Sequence, residues 1–247
     1  MVTDPLLWIS AVLGAFMVGV AKAGITGLSI LSIALFNHVF PSSKQASGLV
    51  LPLLIFGDLV AVFAYRKHTQ WAFLWRLFPW TAIGVVLGYV TLGRISDHGA
   101  RILIGWIIVS LAALSFWRRY VAPVSEEAPS FHWSVSALIG ITAGFITLIA
   151  NAAGPLMAIY LVAMRLPKME YVGTAAVFFM MLNLFKVPFM VDLGLITPQS
   201  FSFNLMLAPA VLLGVLAGRW LLVRVNQSLF EQLVLLLSAI GGILLIL

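Results

Sequence analysis

Pro5 to His38 reads PLLWISAVLGAFMVGVAKAGITGLSILSIALFNH, an apolar run too long for a single membrane span. As one continuous helix it would measure roughly 50 Å at 1.5 Å per residue, whereas a bilayer's hydrocarbon core is about 30 Å thick. Its middle, Ala21-Lys22-Ala23-Gly24-Ile25-Thr26-Gly27, places a charge, a hydroxyl and two glycines where a helix would be weakest. Residues 132–164 repeat the pattern, with Ala150-Asn151-Ala152-Ala153-Gly154-Pro155 at the centre. Backbone freed by such breaks is tolerated at membrane depth only where protein buries it or it lines a watery cavity. Each run is therefore expected to be a broken helix or a re-entrant hairpin, and each break to border a functional site.

The rest of the chain agrees with a membrane setting. Further apolar runs lie near 45–65, 72–93, 99–117, 171–191, 199–222 and 229–247, which makes eight in all. Apolar residues form 62% of the 247 and charged ones 9%, with a mean hydropathy of +1.11. A soluble core of this size could not hide so much apolar side chain, and disorder or a coiled coil would need far more polar residues. The net charge of +6 comes from scattered bases rather than a basic stripe interleaved with aromatics, so nucleic acid is not an expected partner. With no cysteine, disulfides, thiolate chemistry and cysteine metal sites are excluded. The expected fold is an all-α polytopic membrane protein whose surroundings are the lipid bilayer. Trp8, Trp71, Trp75, Trp117, Trp133 and Trp220 sit near run ends, as interfacial anchors do.

A shift of 130 residues aligns the two halves. Gly14 falls on Gly144, Gly24 on Gly154, Pro79 on Pro209, Gly84 on Gly214, Gly88 on Gly218 and Arg94 on Arg224; a local shift of 125 sets Gly48 on Gly173 and Asp58 on Asn183. The division is residues 1–120, a polar linker at 121–131, and 132–247, with four runs in each half. Matched interrupted segments in two halves point to a transporter binding site. If all eight runs cross simply, Lys and Arg near the loops divide 7 to 5. If 5–38 and 132–164 are hairpins, the division is 3 (Lys44, Arg94, Arg101) to 9, a clear positive-inside bias. The hairpin arrangement leaves an odd number of true crossings per half, so the repeats are expected to be inverted and both termini outside.

Three ionisable residues lie inside the runs: Lys22, Asp58 and Lys186. Such groups are costly in lipid and face a cavity or one another. Lys186 follows Asn183 by three residues and shares its helix face. Half-helices starting after Gly24–Gly27 and after Gly154–Pro155 would aim N–H groups and positive dipole ends at a common point. Pro155 suits a first helical turn, where its missing N–H costs nothing. Lys22 or Lys186 would add full charge, and Thr26 and Asn151 hydrogen bonds. The plainer readings stay open: Lys22 paired with Asp58 as a structural ion pair, Lys186 as a structural lysine near Pro188, and Asp58 as either a counter-ion or a proton relay. Gly84/Gly88 and Gly214/Gly218 read as helix-packing pairs. His38, His68, His98 and His132 form no ligand-spaced cluster, so no metal or cofactor is expected. No phosphate loop, H-E-x-x-H or G-x-S-x-G occurs, which argues against an enzyme and leaves secondary transport or a channel.

These motifs together resemble the sulfite exporter TauE/SafE family over nearly the whole chain. The resemblance rests on Gly19-Val-Ala-Lys-Ala-Gly-Ile-Thr-Gly27, Gln45-Ala-Ser-Gly48, Leu51-Pro52, Gly57-Asp58 and Tyr65-Arg-Lys-His68 with Trp71. It continues through Asn151-Ala-Ala-Gly-Pro155, Gly173-Thr-Ala-Ala-Val-Phe-Phe179 and Asn183-Leu-Phe-Lys-Val-Pro188. It implies a permease of the bacterial inner membrane for sulfur-containing anions such as sulfite or small organosulfonates, often in the export direction. Carried over by position, Lys22, Gly24, Thr26, Gly27, Asn151, Gly154, Asn183 and Lys186 would lie at the substrate path. Asp58 is the expected proton-coupling residue. The first break departs from glycine-richer members at Ala23 and Ile25.

Overall fold

The computed structural model describes residues 4–25, 28–40, 43–91 and 133–246, with Trp106, Val109, Ser110 and Ala113. The expected run at 99–117, the linker, and Thr26, Gly27, Arg94, Arg101, Arg118, Arg119, Trp117, His98 and His132 lie outside the described residues, apart from those isolated positions. The elements are helices α1 (Pro5–Lys22), α2 (Ser29–Val39), α3 (Ser43–Tyr65), α4 (Trp71–Thr91), α5 (Trp133–Ala150), α6 (Ala153–Ala163), α7 (Lys168–Asp192), α8 (Pro198–Arg224) and α9 (Gln227–Ile246). A short 3₁₀ turn, Arg66–His68, joins α3 to α4. Among the described residues there is no strand, and α1, α3, α4, α5, α7 and α8 are long and apolar enough to cross a membrane.

Local chemistry sets the helix ends. Asp4 caps α1 by accepting from Leu6 N–H at 2.9 Å, with Pro5 at the first position. Thr197 and Ser200 make a reciprocal capping box ahead of α8, again with proline first. Pro52, Pro79, Pro188 and Pro209 lie inside helices, as neighbouring helices in a membrane bundle allow.

Both long runs break, and both fold back. Gly14 of α1 lies against Leu35 and Phe36 of α2, while Trp8 and Phe40 both pack on Phe203. Only an antiparallel hairpin brings those pairs together. In the second half Tyr160 of α6 reaches Ser136 of α5; in one straight helix those residues would stand roughly 36 Å apart. The first break covers 23–28, as the sequence suggests. The second is shorter than expected: only Asn151 and Ala152 leave the helix, and α6 starts at Ala153. Gly154 and Pro155 therefore belong to its first turn, and the half-helix starts before them. Asn151 makes so tight a break by adopting a left-handed φ of 51°, a conformation asparagine reaches more readily than most residues.

Each first leg packs on a helix of the other half through close glycine contacts. A Cβ on Gly19 of α1 would stand 2.8 Å from Gly214 Cα of α8, and one on Gly144 of α5 would stand 2.0 Å from the Thr81 carbonyl oxygen of α4. Gly84, Gly88, Gly214 and Gly218 all lie at these two interfaces, so the packing role read from their spacing holds. Gly14 and Gly144 do not make equivalent contacts. Gly14 faces its own hairpin, and Gly19 makes the contact on α8 that corresponds to that of Gly144 on α4.

Between these pairs, α3 and α7 cross antiparallel. Gly48 meets Leu195, Asp58 meets Asn183, and Tyr65 meets Gly173. One end of the bundle gathers the α3–α4, α6–α7 and α8–α9 connections. There Thr69 donates to the Gly173 carbonyl at 3.2 Å and Lys168 Nζ donates to the Val225 carbonyl at 2.6 Å. Arg66, Lys67, Arg76, Arg165, Lys168, Arg219 and Arg224 all belong to this end.

Candidate functional site

The α3–α7 crossing brings the three intramembrane ionisable groups together. Lys22, the last residue of α1, sets Nζ 2.6 Å from Asp58 Oδ1, and Asp58 is fully buried. Room for the lysine stem comes from Gly57, where a Cβ would stand 3.1 Å from Lys22 Cγ. The ammonium also lies 4.9 Å from the centre of the Phe179 ring, a favourable placement for a cation. The second carboxylate oxygen of Asp58 accepts from Asn183 Nδ2 at 2.6 Å.

Lys186 continues the network. Its Nζ donates to Asn151 Oδ1 at 2.5 Å, to Thr147 Oγ1 at 3.3 Å and to Asn183 Oδ1 at 3.5 Å. Asn151 in turn donates through Nδ2 to the Ser47 carbonyl at 2.8 Å, tying the second break to the start of α3. Lys186 is fully buried and meets only neutral oxygens, with no carboxylate partner among the described residues. The cluster holds two ammonium groups and one carboxylate, a formal charge of +1.

A cavity of about 40 Å³ opens in front of this network, lined by Lys22, Gly24, Ser29, Asn151, Gly154 and Asn183 among others. Ser29 is the first residue of α2 and Gly154 the second of α6, so both half-helices start at the same cavity and run in opposite directions. Leu28 and Ala152, at the two N-cap positions, offer no side-chain hydrogen bond to these starts. Uncapped helix starts leave N–H donors and positive dipole ends available to an anion. Gly24 holds a φ of 119°, open to glycine alone, and a Cβ there would stand 2.5 Å from Val172 Cγ2.

Of the residues expected at the site, Lys22, Gly24, Asn151, Gly154 and Asn183 line the cavity, and Asp58 and Lys186 stand directly behind it. Pro155 is buried in the first turn of α6 and does not line the cavity. Thr26 and Gly27 lie outside the described residues. The sequence reading missed Thr147, Ser29, Ser32, Ser47 and Phe179. Thr147 and Phe179 each precede a residue expected at the site, Asn151 and Asn183, by one helical turn. Ser29 and Ser32 follow the first break at helical spacing. Ser47 contributes a backbone carbonyl, which no side-chain pattern announces.

No curated protein and no solved structure matches this chain. A transporter family's model does, along almost the whole length that carries the two breaks, the crossing helices and the cavity between them. Over residues 11–245 the chain matches sulfite exporter TauE/SafE, and this multi-pass membrane protein belongs to that family.

Proposed function

We propose that the protein is a secondary transporter that exports sulfite or a small organosulfonate across a bacterial inner membrane. The observation that carries this reading is the buried, formally positive cluster facing a cavity at which two half-helices begin. An oxyanion is the ligand such a constellation suits: helix N-termini and ammonium groups supply donors and positive charge, and among the described residues Asp58 is the only carboxylate there. The bound anion would be held by Lys22, Asn151 and Asn183, by the backbone N–H of Gly154 in the first turn of α6 and by the charge of Lys186, with Gly24 forming part of the cavity wall. Thr26 and Gly27 join the set through the resemblance. The export direction follows the family's description.

Asp58 is the proposed coupling residue. It already neutralises Lys22, so an arriving anion competes with it for that lysine, and a proton on Asp58 would favour the anion. Two inverted halves provide the framework. Support comes from the antiparallel α3–α7 crossing, where the repeat-related Asp58 and Asn183 touch, and from the matching α1–α8 and α4–α5 pairs. An element that meets its own repeat equivalent head to tail is what a two-fold axis in the membrane plane produces. The end rich in Lys and Arg would face the cytoplasm, with the start of α1 and the far end of α9 outside.

The deciding measurement is thermal stabilisation of the purified protein by sulfite, thiosulfate, sulfate and methanesulfonate, followed by flux in proteoliposomes with and without a pH gradient. Sulfite or methanesulfonate should raise the midpoint, and an imposed gradient should drive saturable flux. Absence of stabilisation by every anion refutes the anion site. Unsaturable flux indifferent to the gradient refutes the coupled mechanism.

A further inference from the structure

A second cavity, also about 40 Å³, extends from the first between α2 and α3 and shares Ser29, Ser32, Leu54 and Asn151 with it. Its α2 wall carries Ser29, Ser32, Phe36 and Asn37, spaced so that they share one helix face. Its α3 wall carries Ser47, Val50 and Leu54, spaced likewise. Each cavity has room for about three waters. The first alone accommodates a compact oxyanion head, so the second is surplus to such a ligand.

The chemistry of the second cavity differs from that of the first. Among the described residues, no charged side chain lines it. The Ser32 hydroxyl donates to the Ser29 carbonyl at 2.7 Å and the Ser47 hydroxyl donates to the Leu148 carbonyl at 3.3 Å. Each hydroxyl has thus used its one proton and offers only lone pairs to a ligand. Asn37 Oδ1 is buried with no partner among the described residues. The unpartnered Asn37 Oδ1 and the lone pairs of Ser32 and Ser47, beside the apolar surface of Phe36, Val50 and Leu54, suit a hydrocarbon stem that ends in a hydrogen-bond donor.

We propose that this α2–α3 cavity binds the carbon skeleton and donor end of an organic anion whose acidic head sits before Lys22, with Asn37 recognising that end. The proposal rests on the anion-site reading and narrows it to a class of substrate. Helical rise sets the length. Ser29 and Asn37 are about 12 Å apart along α2, and a hydrogen bond of about 3 Å at either end leaves roughly 6 Å. That gap corresponds to about four to five bonds from sulfur to the terminal donor atom, the span of a three- or four-carbon ω-hydroxyalkanesulfonate.

The test uses the purified full-length protein and Kd values for sulfite, propane- and butane-1-sulfonate, their ω-hydroxy analogues and 3-sulfopropanoate. The hydroxyl should tighten binding about two- to tenfold over the plain alkyl compound, and the acceptor-ended 3-sulfopropanoate should gain nothing. Asn37→Leu should erase the hydroxyl gain while leaving sulfite and the alkyl sulfonates within about twofold. Ser32→Ala, a milder change, should shrink the gain in the same direction. The proposal is overturned by the absence of a hydroxyl gain in the wild type, by equal losses for all ligands in both variants, or by sodium-dependent binding indifferent to the hydroxyl. If sulfite and the alkyl sulfonates bind but the hydroxyl adds nothing, only this proposal falls. If no anion binds, the anion site falls and takes the proposal with it.

Discussion

Lys22 spends its charge on Asp58 at 2.6 Å, whereas Lys186 is held by three neutral oxygens and carries the charge left over. The two lysines should therefore respond differently to neutralisation. Lys22→Met leaves the buried Asp58 without its ion partner and should cost about 3–5 kcal/mol, seen as a lower unfolding midpoint in detergent. Adding Asp58→Asn should recover most of that loss, because the orphaned charge is then gone. Lys186→Met removes a buried charge that has no carboxylate partner, so the fold should persist while anion affinity falls about 10- to 100-fold. Undiminished anion-induced stabilisation in Lys186→Met would show that this lysine is only structural. Sequence spacing was enough to put Asn183 and Lys186 on one face. It could not say which lysine Asp58 neutralises, since that depends on where α1 ends against α3.

Among the elements, the breaks and the glycine interfaces carry the architecture. Asn151 combines a left-handed backbone with a side chain that links Lys186 to Ser47. Asn151→Gly keeps the backbone conformation and deletes the link; it should retain the fold while weakening anion binding. Asn151→Val loses the link and also strains the backbone, by about 1–3 kcal/mol, so it should unfold at a lower temperature than Asn151→Gly. Similar midpoints for the two variants would mean that the turn tolerates a branched residue. At the α4–α5 interface Gly144→Leu would drive a side chain into the Thr81 carbonyl. It should destabilise by roughly 1–3 kcal/mol or more, read as lost monodisperse protein on size-exclusion chromatography. Both broken helices were legible because an apolar run much longer than one crossing, with polar or glycine residues in its middle, fits a bilayer by breaking there. Pro155 stands in the first turn of α6, as its missing N–H suggests, but that turn opens at Ala153, before the glycine that reads as part of the break.

For the whole molecule, the arrangement predicts which loops share a side. The chain has no cysteine, so single introduced cysteines report topology without a background. Lys67→Cys, next to the basic cluster, should react with impermeant reagent only from the cytoplasmic side. Gly194→Cys, at the opposite end with nothing within 4 Å of its Cβ position, should react only from outside. Labelling of both from one side would overturn the arrangement of α3, α7 and α8. The sequence by itself determined the membrane setting, the helical class, the two breaks and most of the polar residues that meet around the cavity. Those follow from hydrophobic length, from local turn chemistry and from the cost of charge in lipid, all of which act within a helix or less. Only the tertiary structure decided that each broken run is a hairpin and that Asp58 pairs with Lys22 while Lys186 does not. It alone also revealed a second cavity continuing from the first, with the unpartnered Asn37 Oδ1 in its wall. Those depend on the antiparallel crossing of α3 and α7 and on close glycine packing between distant segments, contacts whose geometry no local pattern encodes.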